Sequence, residues 1–237
     1  MFFGKQGIVI ENTNKIGTIT EEEKEEVYKE FVEYKPNSLV AFIYSEKASD
    51  CIAENEFVSA KRYLDIALKI EPNLFCTNYS LGLIEAAQDT DKVTQTTKRR
   101  WRKSIRHFTK AIWLNKGFYE GYTARAEVKL ELEDLDSALE DYKRARRINP
   151  RRIEAHIGIA YIEMLKDNLK SSRRALRCAS EIDPLDPNVH YLEGALKYEA
   201  GNYTSAAKAY LFALERDPEH EGARQGLNMI EKRLKDS

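Results

Sequence analysis

Cysteine is scarce in this sequence. The three present, Cys51, Cys76 and Cys178, stand far apart with no CxxC spacing. An odd, scattered set excludes a disulfide framework and fits a reducing compartment. Charge of one sign is also lacking: 38 Lys and Arg stand against 39 Asp and Glu, so the chain as a whole selects neither a polyanion nor a polycation. No apolar run approaches the ~20 residues of a membrane-spanning helix. The opening Met1–Ile10 lacks a basic leading segment, an apolar core of useful length and a small-residue cleavage site, so no secretory signal is expected. Phe2 in place of glycine leaves no myristoylation signal. A cytoplasmic protein is the expectation.

Catalytic signatures are missing as well. There is no GxGxxG, P-loop, HExxH or Gly-x-Ser-x-Gly, and a non-catalytic protein without a cofactor is expected. His156 and His190 lie 34 residues apart. Two imidazoles are too few for a convincing metal site, and each stands where Tyr44 and Tyr122 supply an aromatic elsewhere.

Proline is the sparse residue whose placement says most. Of six prolines, Pro72, Pro150, Pro184 and Pro218 each close a similar stretch. Ala138, Tyr142 and Ala145 precede Pro150, and Ala206, Tyr210 and Ala213 precede Pro218. Ser172, Leu176 and Ala179 precede Pro184, and Ala60, Leu64 and Ala67 precede Pro72. Earlier in each stretch stands a small residue. Ala126, Ala160 and Gly194 are 34 apart, as are Ala48 and Gly82, while Gly82 to Ala126 spans 44. One supersecondary unit is therefore repeated, with a ten-residue insertion at about 87–100. Each unit reads as two helices joined by a short turn, with the small residue where they approach closest and the proline ending the second helix.

The expected organisation is an N-terminal arm over 1–19, an acidic capping helix over 20–40 and five units over 41–220 (41–74, 75–118, 119–152, 153–186 and 187–220). A C-terminal capping helix over 221–237 closes it. Thr20 and Glu23 form a capping box for the first of these helices, with Val27, Tyr28, Phe31 and Val32 as its apolar face. Ala223, Leu227, Ile230 and Leu234 form the apolar stripe of the last.

The 34-residue period, the early small residue, the Ala-x3-aromatic-x2-Ala run and the closing proline resemble the tetratricopeptide repeat (TPR) family. Lys47, Arg125 and Glu193 depart from the leucine that family usually carries before the small residue, and Lys116 takes the place of proline. The resemblance implies an all-α, right-handed superhelical solenoid of helix-turn-helix repeats whose first helices line a concave groove. It places Tyr79, Leu83, Glu120, Thr123, Glu127, Glu154, Tyr161, Tyr191 and Tyr198 in that groove, with Phe42, Ser45, Met164 and Ala195 also facing it. An aromatic groove with an acidic middle suits a protein partner, a peptide or helix with apolar and basic anchors. A competing account is that several of these side chains only pack between helices. The positions used by family members that clamp a chaperone-tail carboxylate hold Ser45, Ser49, Ser80, Glu120 and Ala124, so that mode is not expected. The function implied is protein–protein interaction, as an adaptor, scaffold or complex-assembly subunit.

A second surface is basic. Arg99, Arg100 and Arg102 flank Trp101, and Arg146, Arg147, Arg173 and Arg174 follow on later second helices. Such a ridge would attract an acidic partner and is the basis of an alternative function, RNA or anionic-membrane binding. Trp101 would stack on a base or pack in its own unit. Against this stands a solvated face neutralised by i,i+4 pairs such as Glu140 with Arg144.

Overall fold

The computed structural model describes residues 2–4, 7–9, 36–87 and 94–235. Of the acidic helix expected over 20–40, residues 20–35 with the Thr20–Glu23 box lie outside the described residues, and 36–40 begin a helix that runs on to Ala53. Two short strands, β1 (Phe2–Gly4) and β2 (Gly7–Val9), pair antiparallel with Phe2 opposite Val9 and Phe3 opposite Ile8. All other described elements are helices.

The chain divides into two compact units, 1–128 and 129–237. In the first, α1 (Pro36–Ala53) lies against α2 (Phe57–Ile70), and α3 (Phe75–Ala86) against α4 (Gln95–Leu114). The boundary falls inside α5 (Tyr119–Glu131). The second holds α6 (Leu135–Ile148), α7 (Ile153–Leu165), α8 (Leu169–Ile182), α9 (Pro187–Glu199), α10 (Tyr203–Arg216) and α11 (Glu221–Lys235). There α7 packs on α8, α9 on α10, and α10 on α11.

The repeat signature is the packing signature. Ala60, Leu64 and Ala67 on α2 are fully buried, and Phe108, Tyr142, Leu176 and Tyr210 occupy the corresponding central place on α4, α6, α8 and α10. Spacings of four and three put each triplet on one face. Where the first member is serine, its hydroxyl donates to the carbonyl of the facing small residue: Ser104 to Gly82 and Ser172 to Ala160, both at 2.7 Å. The buried hydroxyls are thus satisfied.

The large central ring needs a void opposite it. A Cβ on Gly82 would lie 2.4 Å from the Phe108 ring, and one on Gly158 would lie 2.5 Å from Tyr142. Tyr210 is flanked twice, by Gly194 on α9 and Gly226 on α11.

The turn between paired helices is constant too. Asn55, Glu133, Asp167 and Gly201 hold the same place and all adopt positive φ, between 58° and 76°. The second helices end alike. The backbone N–H of Asn115, Asn149, Asp183 and Asp217 returns to the carbonyl of Ala111, Ala145, Ala179 and Ala213. Lys116, in the proline place, follows a helix that ends like the others, so the proline is not required there.

The ten extra residues of the 75–118 repeat are a net of three differences, α3 being one residue shorter, at 12, than α5, α7 and α9 at 13. The link between α3 and α4 has eight residues where the other repeats use three, and α4 has 20 residues where the other second helices have 14. The stretch 95–100 therefore belongs to a helix, capped by the reciprocal bonds of Thr94 and Thr97.

Candidate binding cleft

In the second unit a cleft of about 420 Å³ opens between the C-terminal end of α7, α9 and α11. Tyr191, Ala195 and Tyr198 of α9 form its floor with Tyr210. Leu165 on one side and Met229 on the other are 48% and 52% exposed. Asp167 and Glu199 bring carboxylates to the lining. At the edge of the cleft α11 approaches α9 closely through a glycine: a Cβ on Gly222 would lie 2.9 Å from Tyr191.

The phenols are held in their neutral, donating form. Burial raises the pKa of Tyr191, with the nearby Tyr161 adding to it. Burial, then Tyr191, Tyr198 and Glu199, push Tyr210 up to about 12. The chemistry on offer is apolar contact, phenolic hydrogen bonds and negative charge, a combination that takes an apolar side chain next to a cation.

Of the groove residues named from sequence, Tyr191 and Tyr198 line this cleft and Tyr161 lies beside it. Glu154 is exposed and engages Arg152 at 2.8 Å. In the first unit Tyr79 packs on Phe108 at 5.6 Å and on Phe118 at 4.9 Å. Leu83 and Glu120 are half-buried there and Glu127 is exposed. Thr123 is buried and donates to the Glu120 carbonyl. Phe42 and Ser45 are buried as well, so these two pack between helices and do not face a ligand. Leu165, Leu169, Gln225 and Met229 had no place in the sequence reading. The first two flank a turn, and the last two belong to a helix read only as a cap. That helix buries Ala223, Gly226 and Ile230, while Leu234 is 63% exposed.

The two repeat-related histidines each bond a proline carbonyl: His156 Nε2 to Pro150 at 2.9 Å and His190 Nε2 to Pro184 at 2.8 Å. Among the described residues no group of three or more His, Cys, Asp or Glu converges.

The basic residues have separate fates. Arg100 donates to the carbonyls of Ile84 and Ala87 and lies near Glu85, so it closes the end of α3. Arg146 is half-buried, while Arg99, Arg102, Arg147, Arg173 and Arg174 are exposed. Glu140 pairs with Lys143 rather than Arg144. Trp101 is buried at 5% exposure and is not open to stack on a base; the exposed tryptophan is Trp113, at 70%.

Glu85 is the buried anchor of this region, with Lys103 at 2.7 Å, Lys61 at 3.4 Å and Arg100 at 3.8 Å. Burial opposes its ionisation, but the Lys103 hydrogen bond and the charges of Lys61 and Lys103 outweigh it and hold the carboxyl below its usual range. A lowered native pKa stabilises the fold above the ordinary glutamate value, and that stabilisation is lost as pH falls through the native value. Glu85→Gln is therefore expected to show a flatter loss of stability than the parent below about pH 5. Urea midpoints measured from pH 7 to 3 test this; parallel curves would refute it.

Residues 129–196 match the tetratricopeptide repeat family. No curated protein matches the chain significantly by sequence. Solved structures resemble it in fold. One is YrrB, a TPR protein with an unusual peptide-binding site, at 19% identity and a TM-score of 0.58, covering 84% of this chain and 96% of that one. Another is TTC0263 of Thermus thermophilus, at 18% identity and 0.60, covering 80% and 98%. A third, from Parabacteroides merdae, has 18% identity and 0.62, covering 86% and 72%. With the helical hairpins, their period and their buried signature, these likenesses show that the chain has the fold of tetratricopeptide repeat proteins, with its residues 129–196 matching that family.

Proposed function

We propose that this protein is an interaction module whose cleft between α7, α9 and α11 receives a protein segment carrying an apolar side chain beside a Lys or Arg. The observation that carries the reading is the exposure of Leu165 and Met229 on opposite sides of Tyr191 and Tyr198, with Asp167 and Glu199 among the lining groups. Large apolar groups around a polar-tipped aromatic floor are what a docked anchor side chain requires. An adaptor or assembly role follows from such a site and needs no catalytic group. The peptide-binding site of YrrB is consistent with this use of the fold.

Selection of random 12-residue peptides on the immobilised full chain tests the proposal. The enriched peptides are expected to combine an aliphatic or aromatic residue with a neighbouring Lys or Arg. Met229→Glu and Leu165→Glu are expected to weaken them by about tenfold or more, equivalent to ~1.4 kcal/mol. Both positions are half exposed, so the melting temperature stays near that of the parent. Peptides that bind the two variants unchanged would place the site elsewhere.

A further inference from the structure

The basic residues of α4 cannot be the neutralised helix face that the sequence suggested. Its 20 residues contain Lys98, Arg99, Arg100, Arg102, Lys103, Arg106 and Lys110 and no Asp or Glu. Three of these cations have structural duties. Arg100 and Lys103 serve Glu85 and the end of α3, and Lys110 donates to the Pro72 carbonyl. Lys98, Arg99, Arg102 and Arg106 are exposed and engage no acceptor among the described residues.

Their arrangement is linear. At 100° per residue, Arg99, Arg102, Arg106 and Trp113 fall within about 60° of arc, opposite the buried Trp101, Ser104, Phe108 and Ala111. At 1.5 Å per residue the stripe is about 21 Å long, with Trp113 standing 70% exposed at its end. The lengthened part of α4 supplies Lys98 and Arg99, and a repeat of standard length would lack them.

We infer that this stripe binds the phosphate backbone of a single-stranded nucleic acid, with Trp113 stacking on an unpaired base. Guanidinium forks match phosphate oxygens, and successive cations one helical turn apart follow an extended chain of charges. An exposed indole in line with them is the stacking surface that single-strand binding uses without reading sequence. A membrane surface fits less well. A surface-lying helix buries a broad apolar face in the lipid, and the apolar face of α4 is committed to the core, leaving Trp113 as the protruding apolar group.

The test is fluorescence anisotropy of the full chain with fluorescein-labelled oligo(U) and oligo(dT) of 20 nucleotides. Vesicles of phosphatidylcholine with phosphatidylserine and a poly-glutamate peptide run in parallel. Four phosphate contacts predict a salt slope of about −3, or roughly 50-fold weaker binding at 200 mM than at 50 mM salt. Arg99→Gln/Arg102→Gln/Arg106→Gln is expected to lower the slope to below about 1, and Trp113→Ala to weaken binding by about fivefold or more. Unlabelled oligo(U) should quench tryptophan fluorescence in the parent and leave Trp113→Phe unaffected, because Trp101 is buried. The inference is overturned by absence of oligonucleotide binding at 50 mM salt or by an unchanged slope in the triple variant. Vesicles or poly-glutamate binding more tightly than either oligonucleotide would also overturn it.

Discussion

Replacing Gly194 with leucine is expected to lower the melting temperature by about 6 °C. A Cβ at this position would lie 2.6 Å from two carbons of the Tyr210 ring. The ring cannot retreat, because a Cβ on Gly226 would already lie 2.5 Å from its other side. Tyr210 is 3% exposed and forms a core with Ala206, Ala213, Ala223 and Ile230. Leucine at 194 must therefore displace the ring, α11, or both. Overpacking of this kind costs about 3 kcal/mol, only partly offset by the ~1 kcal/mol gain in helix propensity over glycine. Each kcal/mol moves the midpoint of a chain this size by about 2–4 °C. Displacement of α11 would let trypsin reach Arg224 and Lys232 sooner than in the parent. Gly117→Leu is the control, since its nearest heavy atom would be the Asn115 side-chain oxygen at 3.5 Å. Adding Tyr210→Ala to Gly194→Leu should recover part of the loss, with a coupling above about 1 kcal/mol. A fall of less than 2 °C, or strict additivity of the pair, would show that the glycine is not the partner of the ring.

Much of the architecture was legible in the sequence because the repeat ties each residue type to a physical duty. Ala138, Tyr142, Ala145 and Pro150 recur at a fixed period, and the structure buries the first three. A finer rule was also present in the letters. Gly158 and Gly226 each follow a central tyrosine, Tyr142 and Tyr210, by 16 residues, whereas Leu192 follows Leu176 at the same spacing. A ring on one helix is matched by a void on the next, and a smaller side chain needs none.

The cleft was less legible. Tyr191 and Tyr198 were reachable from first-helix periodicity, but Leu165 and Leu169 flank a turn, and Met229 lies one position from the buried Ile230. A phase shift of one residue decides whether such a side chain faces the core or the ligand. The tryptophans show the same sensitivity. Trp101, set among arginines, looks like a surface residue and is buried, while Trp113, in an apolar run, is exposed. The length of α4 explains both, since a continuous helix through 95–114 fixes the phase of every residue along it. Likewise nothing in the local sequence reveals that Arg100 is occupied by two carbonyls from α3.

Lys129→Met is expected to cost about 3 kcal/mol, a loss of about 9 °C. Lys129 reaches from the last turn of α5 to Asp141 on α6, with its ammonium 2.7 Å from the carboxylate. It also donates to the Ser137 carbonyl. Both side chains are largely withdrawn from water, at 16% and 7% exposure. Neither charge can be rehydrated cheaply, unlike Lys61 and Lys103 beside Glu85, which remain 47% and 54% exposed. Methionine keeps the length of the lysine stem, so the loss isolates the charge from the packing. Asp141→Leu should cost a similar amount by leaving the ammonium buried beside an apolar side chain. The double variant Lys129→Met/Asp141→Leu should recover most of the stability, because a well-packed apolar pair replaces a buried ion pair at little net cost. Denaturant midpoints of the four proteins close the cycle. A single-variant loss below about 1 kcal/mol would mean that the pair is effectively solvated. A double variant no better than the singles would mean that the two charges set the geometry of this turn as well as each other's energy.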